Sequence, residues 1–382
     1  MRIGFNAHLL SFAPGYRRAG VSQYTEQLLH HFITTAAQAG DTLSVYAGGS
    51  DAARAWMAEH STIHYHASHL PTARPQGRIF WEQAVAPVVT RRDRLDVLFC
   101  PVNVVPLVGR VPSVVTVHDL AFLAHPEAFH LSKRGYLSLL TRLSVQRAHR
   151  VIAVSAHTKA DLVRHFHVAP GKVTVIPNAM DHRFRPATDP AALSQFRHDH
   201  HLPERFILFV GTLEPRKNLR RLIDAFARVA RDDCEVALVI VGGSGWMTSD
   251  LAPLVQQRNL GDRITFTGYV PDDELPRWYQ AATIFCYPSL YEGFGLPVLE
   301  AMACGTPVVT SNTSAIPEVA GDAAVLIDPT DVTALADSLL ALLSDAPRWE
   351  ELGRAGIARS RGYSWECTAA ATYAVVREAA GD

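Results

Sequence analysis

Short apolar, β-branched runs alternate with longer amphipathic stretches along the whole chain. This alternation is typical of βαβ units, in which parallel strands form a sheet that helices cover on its faces. The pattern predicts six strands in each half of the chain. The predicted strands are residues 3–7, 43–47, 97–101, 113–117, 150–155 and 173–177, followed by 205–211, 236–242, 263–268, 283–288, 306–310 and 324–328.

Six strands in each half predict an α/β protein with two Rossmann-like domains. The length of 382 residues agrees, because it exceeds the size at which one hydrophobic core stops growing. Residues 177–190 are rich in proline and polar side chains and lack periodicity, which indicates a linker or hinge. We therefore place the domains at residues 1–183 and 184–362, and expect residues 363–382 to form a helix that packs back on the first domain.

Composition narrows the class of protein. Hydrophobic residues make up 48% of the chain and charged residues 19%, as in ordinary globular enzymes. The five cysteines are scattered without a C-x-x-C pair, which predicts reduced thiols in a cytoplasmic protein. The first residues lack the pattern of a secretory leader, and no run of 18 apolar residues occurs, so we expect neither export nor a membrane span.

The net charge of −1 conceals a division of charge along the chain. Residues 1–183 hold 19 Lys and Arg against 11 Asp and Glu, whereas the remainder holds 17 against 26. Fifteen of the 18 histidines also lie in the first part. The basic half predicts contact with an anionic partner, and accidental asymmetry is the alternative. Nucleic acid is disfavoured because no recognisable binding motif accompanies the charge.

Residues 287–309, YPSLYEGFGLPVLEAMACGTPVV, pass from a strand through a glycine-rich loop into a helix. Leu296 or Pro297 should begin that helix, since proline is tolerated at the first helical position. The amides of Phe294, Gly295 and Leu296 then converge at its amino end. Such a helix start favours a phosphate or diphosphate.

Charged residues accompany this loop and a second one. Glu292 and Glu300 flank the helix start, and their carboxylates suit sugar hydroxyls better than phosphates. Arg216 and Lys217 lie in a turn after the strand of residues 205–211, at the edge where open α/β sheets bind ligands. Two cations there would hold a departing diphosphate. The alternative for all four is a solvated surface charge.

A dinucleotide-dependent dehydrogenase is the rival for paired Rossmann-like domains. It requires G-x-G-x-x-G directly after a strand. The first predicted strand is followed by HLLSFAPGYRRAG, and VGGSGW at residues 241–246 lacks the third glycine at the right spacing. The sequence therefore disfavours a dinucleotide-dependent dehydrogenase.

Taken together, these stretches resemble the family-4 retaining glycosyltransferases of GT-B fold over the whole chain, and most closely the bacterial mannosyltransferases of O-antigen and exopolysaccharide synthesis. The resemblance implies two Rossmann-like domains whose parallel sheets face each other across a cleft, the first binding the acceptor and the second the nucleotide sugar. It also implies transfer of mannose from GDP-mannose, with UDP-glucose and UDP-N-acetylglucosamine as alternative donors. The motifs that carry it are RRAGVSQYTEQLL (17–29), VTVHDLAFLAHPEAF (115–129), VIPNAMD (175–181), GTLEPRKNLRRLIDAF (211–226), GYVPDDELPRWYQAA (268–282) and LYEGFGLPVLEAMACGTPVV (290–309).

The resemblance also assigns roles to residues. It implies that Glu292 contacts the donor sugar, that Glu300 holds the ribose, and that Arg216 and Lys217 grip the diphosphate. His118 would face the transferred sugar, with a core histidine as the alternative. Further donor-binding residues would be Gly20, Gly211, Thr212, Gly242, Tyr269, Val270, Phe294, Gly295 and Leu296.

The first glycine-rich loop departs from the family pattern. Only Gly15 and Gly20 are present, with Arg17 and Arg18 between them, which leaves the acceptor open. A glycan or a polyprenyl-pyrophosphate-linked saccharide is expected. The lipid-linked acceptor would explain the basic half and predicts peripheral contact with anionic membrane at the inner face.

No D-x-D motif occurs, so the sequence predicts catalysis without a metal or other cofactor. Retention would proceed on one face of the sugar, with a donor phosphate oxygen taking the acceptor's proton. A covalent intermediate on Glu292 is the alternative route. Two other classes of protein also stay open: a GT-B sugar-nucleotide epimerase or hydrolase, and a non-catalytic sugar-nucleotide sensor.

Overall fold

The computed structural model describes residues 1–11, 20–60, 62–129, 131–243 and 250–381. The chain forms two compact units. Unit 1 comprises Met1–Ala179 together with Trp365–Asp382, and unit 2 comprises Met180–Ser364. Within the described ranges, residues 177–189 contain neither helix nor strand.

Each unit contains one parallel sheet. Among the described residues, unit 1 has seven strands in the order β3-β2-β1-β4-β5-β6-β7, and unit 2 has six in the order β10-β9-β8-β11-β12-β13. The strands of unit 1 are β1 (Arg2–Asn6), β2 (Thr42–Gly48), β3 (Ile63–Ser68), β4 (Val97–Cys100), β5 (Ser113–Val117), β6 (Arg150–Ala153) and β7 (Val173–Val175). Those of unit 2 are β8 (Phe206–Val210), β9 (Ala237–Val241), β10 (Ile264–Gly268), β11 (Ile284–Tyr287), β12 (Val308–Ser311) and β13 (Val325–Ile327).

Among the described residues, every connection between consecutive strands of a unit contains a helix except that between β4 and β5, which is a loop. Unit 1 contains α1 (Val21–Ala39), α2 (Asp51–Ala58), α3 (Pro75–Phe80), α4 (Ala86–Arg92), α5 (Ala121–Ala124), α6 (Leu131–Arg147) and α7 (Ala156–Phe166), with a π-helical turn Trp81–Val85 between α3 and α4. Unit 2 contains α8 (Pro190–Asp199), α9 (Leu219–Asp232), α10 (Leu251–Gln257), α11 (Leu275–Ala281), α12 (Leu296–Ala303), α13 (Ile316–Ala320), α14 (Val332–Ser344) and α15 (Ala346–Ser360). The last helix is α16 (Trp365–Ala380).

All twelve strands expected from the sequence are present, and the α/β prediction is confirmed. The expectation of six strands in the first half was wrong, because β3 adds a seventh at the sheet edge. Its sequence IHYHAS places His64 and His66 within the strand, and its side chains are largely half-buried or exposed. A strand at the edge of a sheet, with side chains exposed to solvent, does not need a continuous run of apolar residues in its sequence.

The carboxyl-terminal helix α16 belongs to the core of unit 1. Val376 is fully buried, and the Tyr373 ring lies 5.3 Å from that of Phe32 on α1. The Tyr373 hydroxyl donates a hydrogen bond to Asp41, which follows α1. Helix α16 therefore supplies part of the hydrophobic core between α1 and the sheet.

Candidate active site

The candidate site lies where the strand order of unit 2 reverses, between β8 and β11. The chain connections run outward in opposite directions from these two neighbouring strands, which opens a crevice at their carboxyl ends. The loops that follow β8 and β11 meet there. The backbone amide of Leu290 donates to the carbonyl oxygen of Arg216 at 2.9 Å, and the Arg216 guanidinium donates to the Tyr291 carbonyl at 2.6 Å.

Charged side chains from both loops form one network. Lys217 Nζ lies 2.6 Å from Glu292 Oε1, and Arg216 Nη1 lies 2.9 Å from Glu292 Oε2. Arg216 also donates to Glu214 Oε1 at 2.5 Å. Lys217 and Glu292 are each only 8% exposed, so these charges depend on one another for solvation. The structure thus brings together three residues that the sequence singled out and adds Glu214.

Two hydroxyl groups complete the shell around Glu292. Tyr287 at the end of β11 donates to Glu292 Oε1 at 2.9 Å, and Ser289 donates to the same oxygen at 2.6 Å. Lys217 Nζ in turn lies 2.5 Å from the Tyr287 hydroxyl. Sequence reasoning missed both, although each stands within the YPSLYEG stretch that it singled out.

The electrostatics of this network follow from its burial. Burial alone would raise the pKa of Glu292, but Arg216 and Lys217 outweigh it and lower that pKa to about 2. Burial, reinforced by Arg216, lowers the pKa of Lys217, while Glu292 and Glu214 oppose the shift. Two cations thus face two carboxylates, and the network is neutral overall before any ligand binds.

Helix α12 begins at Leu296, with Pro297 in its first turn, as the sequence predicts. Gly295 caps it with φ 114°, and a Cβ at that position would lie 2.7 Å from Ile316 Cδ1. Glycine is therefore required there. Among the described residues, the amides of Phe294, Gly295 and Leu296 donate to no protein acceptor, so they remain available to an anion.

Glu300, in the second turn of α12, has a different environment from Glu292. It accepts a hydrogen bond from the Tyr279 hydroxyl at 2.8 Å. Burial raises the pKa of Glu300 to about 7, with Tyr279 and Arg183 opposing the shift and Asp272 adding to it. The two carboxyl groups of the motif are thus separated in pKa, which is common where neighbouring acids have different tasks.

The carboxyl ends of β8, β9 and β10 lie side by side next to this network. The amide of Gly211 donates to Val241, and that of Gly242 donates to Gly268, both at 2.9 Å. A Cβ on Gly242 would lie 1.9 Å from the Gly211 carbonyl oxygen, so only glycine fits. Tyr269, which follows β10, is 43% exposed at the same edge. Thr212 is exposed and Val270 half-buried there, so the expected donor residues of unit 2 share one sheet edge.

In unit 1, His118 follows β5 and donates from Nε2 to the Pro101 carbonyl at 2.9 Å. Because a carbonyl only accepts, Nε2 carries the proton and Nδ1 is left as an acceptor. Burial lowers the pKa of His118, with Pro101 and Asp119 opposing. Its ring packs edge-on against Tyr24, with 4.6 Å between centroids. Asp119 accepts from the Ala121 amide at 3.0 Å and so caps the following turn.

The remaining residues expected in unit 1 belong to the first glycine-rich loop. Gly20 directly precedes α1, has φ 61°, and would place a Cβ in open space. Gly15, Arg17 and Arg18 lie outside the described residues, as does the second half of the VGGSGW stretch in unit 2.

Sequence reasoning also missed a buried polar cluster beyond the end of β1. The His8 ring packs against that of Trp81 at an interplanar angle of 59°, with 4.0 Å between ring centroids, and His8 Nδ1 lies 3.1 Å from Thr72 Oγ1. Burial, reinforced by Arg78, lowers the pKa of His8 to about 3, while burial raises that of Glu82 to about 7 against the pull of Arg78. Within the described chain, His8 Nε2 and Glu82 Oε2 have no hydrogen-bond partner.

Comparison with known proteins gives concordant matches. Residues 20–184 match the model described as Glycosyltransferase Family 4, and residues 193–359 match that described as Glycosyl transferases group 1. O-antigen chain mannosyltransferase B of Escherichia coli is 35% identical over 259 residues, 67% of this chain and 68% of that protein.

Two solved structures show the fold. Sucrose-phosphate synthase from Thermosynechococcus elongatus superposes with a TM-score of 0.76 at 22% identity, covering 99% of this chain and 98% of that one. Anabaena HepE, solved in complex with UDP and glucose, superposes with a TM-score of 0.74 at 20% identity, covering 99% and 100%.

Proposed function

Because the chain belongs to the family-4 glycosyltransferases and has their GT-B fold, we propose that it transfers mannose from GDP-mannose, with retention, to a glycan or polyprenyl-pyrophosphate-linked saccharide. The observation that carries the proposal is the buried network of Arg216, Lys217 and Glu292 at the switch point of unit 2. Two cations and a carboxylate buried at the ligand-binding edge of a sheet are typical of a functional site and not of an ordinary protein surface.

In this proposal the donor diphosphate binds Arg216 and Lys217, and its oxygens replace the carboxylates of Glu292 and Glu214 as their partners. The diphosphate oxygens also accept hydrogen bonds from the backbone amides at the amino end of α12. The ribose hydroxyls donate to Glu300. Charge that develops on the departing GDP is thus met by preorganised cations and dipoles, which supply much of the stabilisation of the transition state.

The environment of Glu292 favours retention on one face of the sugar over a covalent intermediate. Its Oε1 atom accepts hydrogen bonds from Tyr287 and Ser289, which the diphosphate does not displace in this proposal, and these two donors make the carboxylate a weak nucleophile. A donor phosphate oxygen therefore serves as base for the acceptor hydroxyl. His118, with Nδ1 free to accept, positions a hydroxyl of the transferred sugar.

The choice of mannose rests on the named relative, an O-antigen chain mannosyltransferase. HepE binds UDP and glucose, which makes a uridine donor the second candidate. Catalysis without a metal is part of the proposal, as is the placement of the acceptor on unit 1. With a lipid-linked acceptor, the enzyme would act in the cytoplasm at the inner face of the membrane, without nucleic acid as a partner. No helix in the described part of the chain is long and apolar enough to cross a bilayer.

A binding panel followed by a transfer assay tests the proposal. GDP and GDP-mannose should raise the melting temperature, since a ligand that binds only the folded state stabilises it. A rise with UDP and UDP-glucose but not with the guanosine ligands would reject the mannose donor. With methyl α-mannoside as acceptor, NMR should show an α-linked product, and EDTA should leave the rate unchanged. Free mannose would indicate a hydrolase, an altered sugar nucleotide an epimerase, and binding without turnover a sensor.

Variants test the site itself. Lys217→Ala and Glu300→Ala should abolish transfer while circular dichroism still shows the folded α/β spectrum. Arg354→Ala removes an exposed arginine of α15 and is the matched control, for which full activity is expected. Near-normal transfer by either site variant would remove these residues from the mechanism.

A further inference from the structure

A cavity of about 640 Å³ in unit 2 is lined by arginines from three segments. Arg228 and Arg231 lie on α9, Arg258 directly follows α10, and Arg263 directly precedes β10. Among the described residues that line this cavity, Asp224 is the only acidic one. We call it the arginine cavity, and its volume lies in the range typical of small-molecule sites.

The arginine cavity is separate from the candidate active site. Arg263 donates to the carbonyl oxygen of Asp233 at 3.0 Å and also to that of Val236. Val236 directly precedes β9 and Arg263 directly precedes β10, so this wall of the cavity lies at the amino ends of two neighbouring strands. The expected donor residues of unit 2 follow the carboxyl ends of the same strands, at the opposite edge of the sheet.

Positive charge is concentrated in the arginine cavity, against the trend of the surrounding chain. Four arginines and one aspartate line the cavity, whereas residues 184–382 hold 17 Lys and Arg against 26 Asp and Glu. Charges of both signs are interspersed on most protein surfaces. Like charges gathered in one cavity repel one another, and a bound anion would relieve that repulsion.

The protein orients these arginines without using all of their donors. Arg258 donates from Nε and Nη2 to Asp224 Oδ1 at 3.0 and 2.8 Å, and Arg228 donates to Thr333 Oγ1 at 2.6 Å. Arg231 donates to a backbone carbonyl of α9 at 3.2 Å. A guanidinium carries five N–H donors, and on each of the four arginines at least three have no protein acceptor among the described residues. These donors are available to a ligand.

We propose that the arginine cavity binds a small anion that carries two or more phosphate groups. Guanidinium groups bind phosphate oxygens through parallel hydrogen bonds, and their charge strengthens each bond. A single carboxylate would contact only part of a set of arginines that comes from three segments. An acidic peptide of a partner protein is the alternative, but a concave cavity with oriented arginines favours a compact ligand. None of these residues belongs to the donor site, so the inference does not depend on the proposed function.

Isothermal titration with inorganic diphosphate tests the inference. The protein is the full-length Lys217→Ala variant, in which binding of a diphosphate at the candidate active site is weakened. We expect it still to bind one diphosphate, and added salt should weaken that binding. Glucose 1,6-bisphosphate, titrated in parallel, distinguishes a phosphorylated sugar from free diphosphate as the tighter ligand.

Variants added to Lys217→Ala locate the binding. Arg228→Gln combined with Arg231→Gln should lower the affinity for diphosphate at least about tenfold, because two charge-assisted contacts are lost. Arg228 is half-buried and Arg231 exposed, so the fold should persist, which circular dichroism checks. Thr333→Glu is a second variant, at an exposed position in the first turn of α14 where glutamate is favourable, and its carboxylate should also weaken binding.

Arg348→Gln combined with Arg354→Gln is the matched control. It removes the same two charges from exposed positions of α15 in the same unit, and its affinity for diphosphate should equal that of Lys217→Ala. No binding by Lys217→Ala, an equal loss in the control, or unchanged affinity in both cavity variants would overturn the inference. Binding of hexaglutamate but not of diphosphate would also overturn it, in favour of an acidic peptide.

The melting-temperature rise with GDP separates this inference from the proposed function. Arg228→Gln combined with Arg231→Gln, without the change at Lys217, should retain that rise. Diphosphate binding that depends on the arginine cavity, without any response to GDP, would contradict the proposed donor and leave the cavity site standing. A GDP response without a second diphosphate site would do the reverse.

Discussion

Glu292→Gln removes one charge from the buried network and keeps the size of the side chain. The pKa of Glu292 is about 2 in the folded protein, against an ordinary value of 4.5. At 1.36 kcal/mol per pKa unit, this difference corresponds to about 3 kcal/mol of folding free energy at neutral pH. Because the pKa is lowered, this stability is complete above about pH 4.5 and is lost as the pH falls towards 2.

Urea unfolding at two pH values measures the effect. At pH 7 we expect Glu292→Gln to lower the free energy of unfolding by about 3 kcal/mol, and at pH 3 by only about 1 kcal/mol. Glu350→Gln, at an exposed position of α15, is the control and should change it by less than about 0.5 kcal/mol at either pH. An equal loss at both pH values, or none at pH 7, would refute the assigned ion pairs.

The same variant distinguishes the carboxylate from the cations. If the diphosphate competes with Glu292 for Arg216 and Lys217, Glu292→Gln should bind GDP at least as tightly as the wild type. Lys217→Ala should lose most of its GDP affinity, since it removes a charge-assisted contact. Isothermal titration with GDP decides between them, and an equal loss in both variants would contradict the competition.

Three further outcomes follow from individual positions. The pKa of Glu82 is raised to about 7, so this group alone should cost about 3 kcal/mol of stability between pH 4.5 and 7. Glu300 has the same raised pKa and adds a similar loss, so Glu82→Gln should remove about half of the wild type's pH dependence in urea unfolding. Gly242→Ala should cost at least about 3 kcal/mol, because the new Cβ would meet the Gly211 carbonyl oxygen at 1.9 Å, whereas Gly243→Ala meets nothing and should be nearly neutral in thermal melting. Because the pKa of Glu300 is about 7, we expect the affinity for GDP, measured by titration, to fall as the pH drops below 7. If protonation of Glu300 is the cause, the GDP affinity of Glu300→Gln should not change with pH.

The strands were predictable because buried parallel strands require continuous apolar runs, and β8 at FILFV or β9 at ALVIV could be little else. The start of α12 was predictable because Pro297 suits the first turn of a helix and Gly295 the position before it. Strand β3 was missed because an edge strand can alternate histidine with apolar residues, which leaves no run to detect.

The buried cluster around His8 was not predictable for a different reason. Trp81 and Glu82 are consecutive, yet both are only 4% exposed. In a regular surface helix one of two neighbouring residues normally turns outward. Here the π-helical turn from Trp81 to Val85 changes the helical phase, and a sequence pattern read at 3.6 residues per turn does not reveal such a turn.

The sequence predicted which charged residues form the candidate site, but not how they pair with one another. Arg216, Lys217 and Glu292 could be expected at one sheet edge, because each follows a parallel strand at its carboxyl end. Their pairing with one another depends on how two loops 75 residues apart are held. Asn218 fixes this geometry: it adopts φ 62°, and its side-chain amide donates to the carbonyl oxygens of Pro288 at 3.0 Å and Pro329 at 2.7 Å. Asparagine tolerates the left-handed conformation that the turn needs and supplies both donors, so this neutral residue ties together the loops that carry the charges.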